Sequence, residues 1–259
     1  MESVFLTLFI LEKDLVGRIE KDYPCVDAHR APCLEVAWSP FNDNVIASCS
    51  EDTTCKVGRI EKDYPCVDAH RAPCLEVAWS PFNDNVIASC SEDTTCKVWL
   101  IPPNGLIRTL SEPAVELCGH QKRVNTLAWH PTANNILLTA GGENKLLIWN
   151  VGTGDALLEI SGHPDMIWSV SFNYDGSRFV TTCKDKKIRV IDSHTGEVLR
   201  QGNGHEGVKP QRAIFLKDGR IFTTGFTKRS ERLYALRTQV CFFLNERKID
   251  KSKSPKIKI

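Results

Sequence analysis

Five histidines, His29, His70, His120, His163 and His205, recur along this chain at intervals of 41, 50, 43 and 42 residues, and the same succession of segments lies between them. An alternating segment such as LEVAW or NTLAW leads into a turn (SPFNDN, HPTANN, NYDGS). A second apolar segment follows (VIAS, ILLTA, RFVTT), then an acidic turn (SED, GGEN, CKD), then a third segment (TCKVW, KLLIW, KIRVI). Short alternating runs separated by Asn, Asp, Gly and Pro predict strands, and no stretch sustains a helical apolar period. The expectation is an all-β fold. A unit of this size cannot bury its apolar surface alone, so its neighbours must stack against it.

The repetition is of two kinds. Residues 17–57 and 58–98 are identical at every position, whereas His70–Trp99 and His120–Trp149 agree at only six of thirty positions. Loose agreement is what packing requires, because cores tolerate substitution when pattern and volume are kept. Letter-for-letter agreement has no physical requirement behind it. It reads as a very recent exon duplication, or an assembly error, laid over an older repeat.

A period of 40–45 residues, with Gly-His near one end and an aromatic near the other, is the signature of WD40 β-propeller repeats. Gly119-His120, Gly162-His163 and Gly204-His205 keep the pair, while alanine precedes His29 and His70. Six residues before each third-segment end stands a carboxylate: Asp52, Asp93, Glu143, Asp185 and Glu231. In such repeats the turn acid accepts a hydrogen bond from the histidine, whose ring passes on to a strand hydroxyl and a Trp indole. The candidate latches are His70, Ser89, Asp93 and Trp99, with His120, Glu143 and Trp149, and with His163 and Asp185. Gly58 and Arg237 stand where the indole belongs in repeats one and five, and Ile191 in repeat four. Each bond of a satisfied buried network adds roughly 0.5–1.5 kcal/mol.

Composition narrows the function. A net charge of +1 argues against nucleic acid and against a polybasic membrane surface. Eight of the eleven cysteines lie in the two identical copies, and none forms a C-x-x-C pair, so buried free thiols in a reducing cytoplasm are expected. The run VFLTLFIL (4–11) is too short to span a bilayer and lacks the flanks of a secretory signal; a strand is expected there. A Ser/His/Asp set that recurs at fixed intervals is a structural latch, because a hydrolase needs one exposed nucleophile beside its base. VGTGDA (151–156) lacks the third glycine and the helix of a dinucleotide fingerprint. The expectations are no enzyme, no cofactor and no metal.

Several blocks go beyond the general repeat. GRIEKDYP, FNDNVIASCSED, VWLIPPNGL, AWHPTANNILL, IWNVGTG, CKDKKIRVID, HEGVKPQRAIF and TTGFTKRSER resemble coronins, in that family's order, over about residues 16–236. The resemblance implies an actin-filament-binding scaffold of the cytoplasm and cytoskeleton that also acts with the branched-actin nucleating complex. It further implies a seven-bladed propeller, a linker and a C-terminal coiled coil. No coiled coil is found here, nor the family's basic N-terminal segment with its arginine, and the likeness stops beyond Leu236. The chain is therefore read as a truncated member: a WD40 region at 1–239, incomplete or irregular, with about five repeats and an N-terminal strand, then a basic, disordered tail at 240–259. A generic WD40 interaction platform and a non-functional truncated product are the alternatives.

Two local expectations complete the reading. At the copy junction Gly58 is only 12 residues before His70, so Val57-Gly58 is expected to reverse the chain tightly, using the positive φ open to glycine. Residues flanking the loop histidine and the acidic turn surface on one side of a repeat. That rule exposes Arg30, Arg71, Lys122, Arg123 and Lys184, with Lys228, Arg229 and Arg232 as further candidates, to steer an acidic partner.

Overall fold

A computed structural model of the chain describes residues 28–59, 66–103, 106, 108–238 and 245–248, and among them every regular element is a strand. No helix among the described residues is long and apolar enough to cross a membrane. The strands fall into two compact units, the first from β1 to β9 and the second from β10 to β20.

In the first unit, β1 (Cys33–Trp38), β2 (Val45–Ser50), β3 (Cys55–Arg59) and β4 (Cys66–Val67) form one antiparallel sheet in sequence order. β5 (Cys74–Trp79), β6 (Val86–Ser91), β7 (Thr95–Leu100) and β8 (Val115–Cys118) form a second. β9 (Val124–Trp129) is the inner strand of a third sheet, completed by β10 (Ile136–Gly141), β11 (Leu146–Asn150) and β12 (Asp155–Ile160). The second unit adds a fourth sheet of β13 (Ile167–Phe172), β14 (Arg178–Cys183), β15 (Lys187–Asp192) and β16 (Val198–Asn203). Its fifth sheet holds β17 (Arg212–Phe215), β18 (Ile221–Phe226), β19 (Arg232–Arg237) and β20 (Asn245–Lys248). Each sheet thus takes the three strands after one histidine and a fourth strand leading to the next.

The core lies between sheets, not within one. Alternate residues of a strand face opposite sides, and here both sides are apolar. One cluster joins Ala47, Cys49, Cys55 and Val57 of the first sheet to Val77, Trp79, Ile87 and Trp99 of the second. A second joins Leu138, Ala140, Leu146 and Ile148 to Ile167, Phe179 and Ile191. A third joins Val180, Ile188 and Val190 to Ala213 and Ile221. The inner strands add polar bonds across the same gaps. The indoles of Trp79 and Trp129 donate to the Ala37 and Ala78 carbonyls at 3.1 and 3.0 Å. Glu76 accepts the Leu127 N–H at 2.9 Å, and Ser169 Oγ the Ala213 N–H at 3.3 Å.

The acidic turns share one backbone solution. Thr53, Thr94, Asn144, Lys186 and Ser230 occupy the same place in their hairpins, each with φ between 63° and 74°. A positive φ is costly for threonine. In the two identical turns the cost is offset by the preceding aspartate, whose carboxylate takes both the N–H and the hydroxyl of Thr54 or Thr95.

Two expectations are corrected. Gly58 makes no reversal: it stays inside β3, opposite Ile46, in the register where Trp99 stands opposite Ile87, and its φ is not positive. Backbone pairing with β2 continues to Arg59, so the ladder bonds outweigh the freedom glycine offers. In the segment read as a disordered tail, Asn245–Lys248 pairs with Leu233–Leu236 as β20, because β19 would otherwise leave an unpaired edge. The run at 4–11 lies outside the described residues.

The identical copies act as an internal control on context. Trp38 is 45% exposed and its twin Trp79 only 8%, because Trp79 packs on the first sheet. Trp79→Ala is therefore expected to cost about 3–5 kcal/mol in denaturant unfolding, the figure for a buried large aromatic. Trp38→Ala, in an identical local sequence, is expected to cost under about 1 kcal/mol.

Candidate functional site

Each repeat places its histidine just before an inner strand, and the following β-hairpin brings a strand hydroxyl beneath the ring. In the second sheet His70 Nδ1 meets Asp93 Oδ2 at 3.0 Å, His70 Nε2 meets Ser89 Oγ at 2.8 Å, and Trp99 Nε1 donates to that same Oγ at 2.9 Å. One tautomer satisfies all three contacts: Nδ1–H donates to the carboxylate, and Nε2 accepts the serine proton. Asp93 also accepts the Arg71 N–H at 3.1 Å, which ties the loop to the hairpin. Burial works to raise the Asp93 pKa, but the bonds from His70 and Thr95 prevail and hold it well below the usual carboxylate range. The first sheet repeats the set with His29, Asp52 and Ser48 at 3.1 and 2.8 Å, and with Gly58 in the indole position. Burial, acting against Asp52, lowers the His29 pKa.

The other sheets vary the theme. In the third, Trp149 Nε1 donates to Thr139 Oγ1 at 2.8 Å, His120 is buried, and Glu143 sits in the β10–β11 turn. In the fourth, His163 Nε2 meets Thr181 Oγ1 at 3.0 Å. Asp185 does not reach His163, contrary to expectation. Both its oxygens are taken by the fork of the buried Arg189, with the Nη1–Oδ1 bond at 3.3 Å, and the Asp185 pKa settles at about 2. His163 Nδ1 is left with no hydrogen-bond partner among the described residues. Burial, with Arg189 adding to it, lowers its pKa to about 4.

The difference is one residue type at one register. Lys97 occupies in the second sheet the position Arg189 holds in the fourth, opposite the strand hydroxyl. Its ammonium goes to the Ala69 carbonyl at 3.0 Å and leaves Asp93 to the histidine. A planar guanidinium matches a carboxylate with two bonds where an ammonium offers a point charge.

In the fifth sheet the arginine at the indole position has a role that the sequence did not disclose. Arg237 stands opposite Ile221, the register of Trp99 and Trp149, and is fully buried. Its Nε donates to Thr223 Oγ1 at 3.3 Å, the same hydroxyl that meets His205 Nε2 at 3.0 Å. The guanidinium Nη1 donates to the Asn203 carbonyl at 2.6 Å. Arginine thus replaces the indole as donor to the hydroxyl. Glu231 does not hold the turn position of Asp93: the β18–β19 hairpin is longer, and Thr227 Oγ1 donates to the Glu231 carboxylate at 3.3 Å. Sequence spacing counted back from Arg237 could not detect the added pairs.

Arg30, Arg71, Lys122, Arg123, Lys184, Lys228, Arg229 and Arg232 are all exposed. Three of them face acids: Arg123 lies 3.1 Å from Glu92, Lys184 3.7 Å from Asp165, and Lys228 3.4 Å from Glu206. Arg30, Arg71, Lys122, Arg229 and Arg232 form no ion pair among the described residues. Of the described cysteines, six are buried, Cys33 and Cys66 are half-buried and Cys118 is exposed. Burial pushes the Cys33 thiol up to about 11. Among the described residues no cluster of His, Cys, Asp and Glu could hold a metal.

Comparison with known proteins agrees with this geometry. The family model "WD domain, G-beta repeat" matches residues 22–57, 63–99, 111–150 and 154–192. Coronin-2A of Homo sapiens is 43% identical over 226 residues, covering 85% of this chain and 35% of that protein. Coronin-2A of Bos taurus is 40% identical over the same length. The chain thus spans about a third of the length of these curated relatives. The WD40 domain of Toxoplasma gondii coronin superposes with a TM-score of 0.75 at 24% identity, over 82% of this chain and 58% of that one, which establishes the shared β-propeller fold. The fifth sheet lies beyond the spans matched by the WD-repeat family model.

Arg189→Lys is expected to release Asp185 to His163 and raise the histidine pKa from about 4 by a unit or more, read by NMR titration of the ring. The same shift has a stability consequence. The folded state holds His163 neutral, whereas the unfolded chain takes up the proton near pH 6.5. Stability from this group is full above about 6.5 and is lost as pH falls towards 4. The lysine variant is expected to lose less over that window.

Proposed function

We propose, from the premise that this chain belongs to the WD40-repeat family and is homologous to coronins, that it is a coronin-like docking scaffold for the sides of actin filaments. Its place is the cytoplasm and cytoskeleton, with the branched-actin nucleating complex as a second partner. The observation that carries the reading is the likeness to Coronin-2A over 226 residues. On this reading the WD40 region, expected at 1–239, extends through β20 to Lys248, with the fifth sheet as a repeat in register with the others.

Physical chemistry supports docking over catalysis. In the first two sheets the histidine, hydroxyl and carboxylate groups are all engaged in holding the hairpin to its loop, and the histidines of all five repeats are buried. The sets recur from sheet to sheet, as latches do, and not as one convergent cleft. Arg30, Arg71 and Lys122, exposed beside those latches, are the groups offered to an acidic filament. Arg30 and Arg71 are positioned by backbone bonds to Asp52 and Asp93, so the latch orients the very residues offered to the partner. Lys122 follows His120 in the corresponding loop of the third repeat.

Co-sedimentation with filamentous actin tests the reading. The chain is expected to pellet with filaments at about 50 mM salt and to be released by about 300 mM, since exposed charges are screened beyond the Debye length. Replacing Arg30, Arg71 and Lys122 together by glutamate is expected to weaken pelleting roughly tenfold while thermal unfolding stays unchanged. Absence of pelleting at low salt, or a triple variant that pellets as well as the parent, overturns the assignment.

A further inference from the structure

We infer that the chain carries a self-complementary pair of sheet faces, and that the outer face of the fifth sheet in one copy docks on the outer face of β1 in a second. The inner strands give each sheet a direction. Residues at the Trp79 and Val77 positions face the preceding sheet, and those at the Ala37 and Glu76 positions face the following one. By that parity Val36 and Trp38, which lie beyond the bulge at Leu34, look backwards from β1, while Arg212 and Ile214 look forwards from β17.

Both of these faces are open. Trp38 is 45% exposed and Ile214 49%. On the fifth sheet Phe222, Tyr234 and Leu236 line the forward side and remain half-buried, with the two rings 6.0 Å apart. Their register equivalents on forward sides that are covered, Leu138, Leu146 and Ile148, are exposed by no more than 5%. The fifth sheet therefore shows large apolar side chains where its siblings bury smaller ones against a neighbour.

The identical copy says what fits the open face of β1. LEVAW occurs twice, and its second occurrence is seen docked: Trp79 packs on the forward side of another sheet and its indole donates to the Ala37 carbonyl. The backward surface of β1 has the same side chains in the same register, with Trp38 lacking only the acceptor. Ile214 holds the Ala37 position in the fifth sheet, so a second copy offers the required forward face with a carbonyl at the corresponding register. The association is head-to-tail, since the two surfaces differ, and such contacts propagate unless they close.

Sedimentation velocity of the full chain over a concentration series tests this. The parent is expected to gain mass with concentration. Trp38→Glu and Ile214→Glu, both at exposed positions, are each expected to weaken association roughly tenfold or more, as loss of a central apolar anchor does. Each variant retains one working face, so mixing the two is expected to give a complex of two chains and no larger species. Circular dichroism and unchanged unfolding midpoints identify variants that have kept the fold. A parent that stays at the mass of one chain throughout, folded variants that associate like the parent, or a mixture that forms no two-chain complex overturns the inference.

Discussion

A four-stranded sheet that is apolar on both sides cannot stand alone in water, and most of the features described here answer that constraint. The gaps between the first and second, third and fourth, and fourth and fifth sheets are filled by aliphatic and aromatic side chains worth roughly 1.5–3 kcal/mol apiece when buried. The polar bonds that cross between sheets are few, and they serve register more than energy. The Trp79 indole reaching the Ala37 carbonyl and the Glu76 carboxylate reaching the Leu127 N–H fix how far one inner strand may slide along the next. A one-residue slip would break both and turn apolar side chains outwards. Packing supplies the driving force, and these bonds select one alignment.

The histidine latch answers a different question, which is how a loop at the rim is kept in place when packing does not reach it. The structure shows that the hydroxyl is the constant member and the other members are negotiable. Ser48, Ser89, Thr181 and Thr223 each hold a histidine Nε2. The carboxylate can be withdrawn, as at Asp185, and the indole can be replaced, as by Arg237. The asymmetry follows from geometry. The hydroxyl lies on a paired strand, whose position the ladder dictates, whereas the acid lies in a turn, where a competing cation can turn it aside.

Much of this was legible in the sequence, and what was not has definable causes. The period gave five repeats because strands, turns and histidines each leave a local imprint. His70, Ser89, Asp93 and Trp99 could be named together because all four retain their usual residue types. Asp185 could not be placed correctly, because its partner is decided by whether Arg189 or His163 wins it, and that contest is between elements with equal claims by spacing. Arg237 looked like the loss of an indole, since composition does not reveal that a guanidinium can put a donor at the same hydroxyl. Glu231 was misassigned because the hairpin before it is longer, and an added pair on each strand leaves the count from the far end unchanged. The exposed cations were identifiable, but not the fact that Glu92, Asp165 and Glu206 take up three of them.

The duplicated segment separates what a sequence determines from what its surroundings do. The first two strands coincide in both copies: β1 and β5, β2 and β6 begin and end on corresponding residues, and both Asp-Thr turns adopt the same positive φ. The latch is the same as well, with distances differing by no more than 0.1 Å between His29 and His70. Burial is not. Cys33 and Trp38 are partly exposed where Cys74 and Trp79 are enclosed. Local bonding therefore travels with the forty-one residues, while core membership belongs to the position in the stack. A segment copied whole brings its own strands and its own latch, but it acquires a hydrophobic core only when another sheet comes to lie against it.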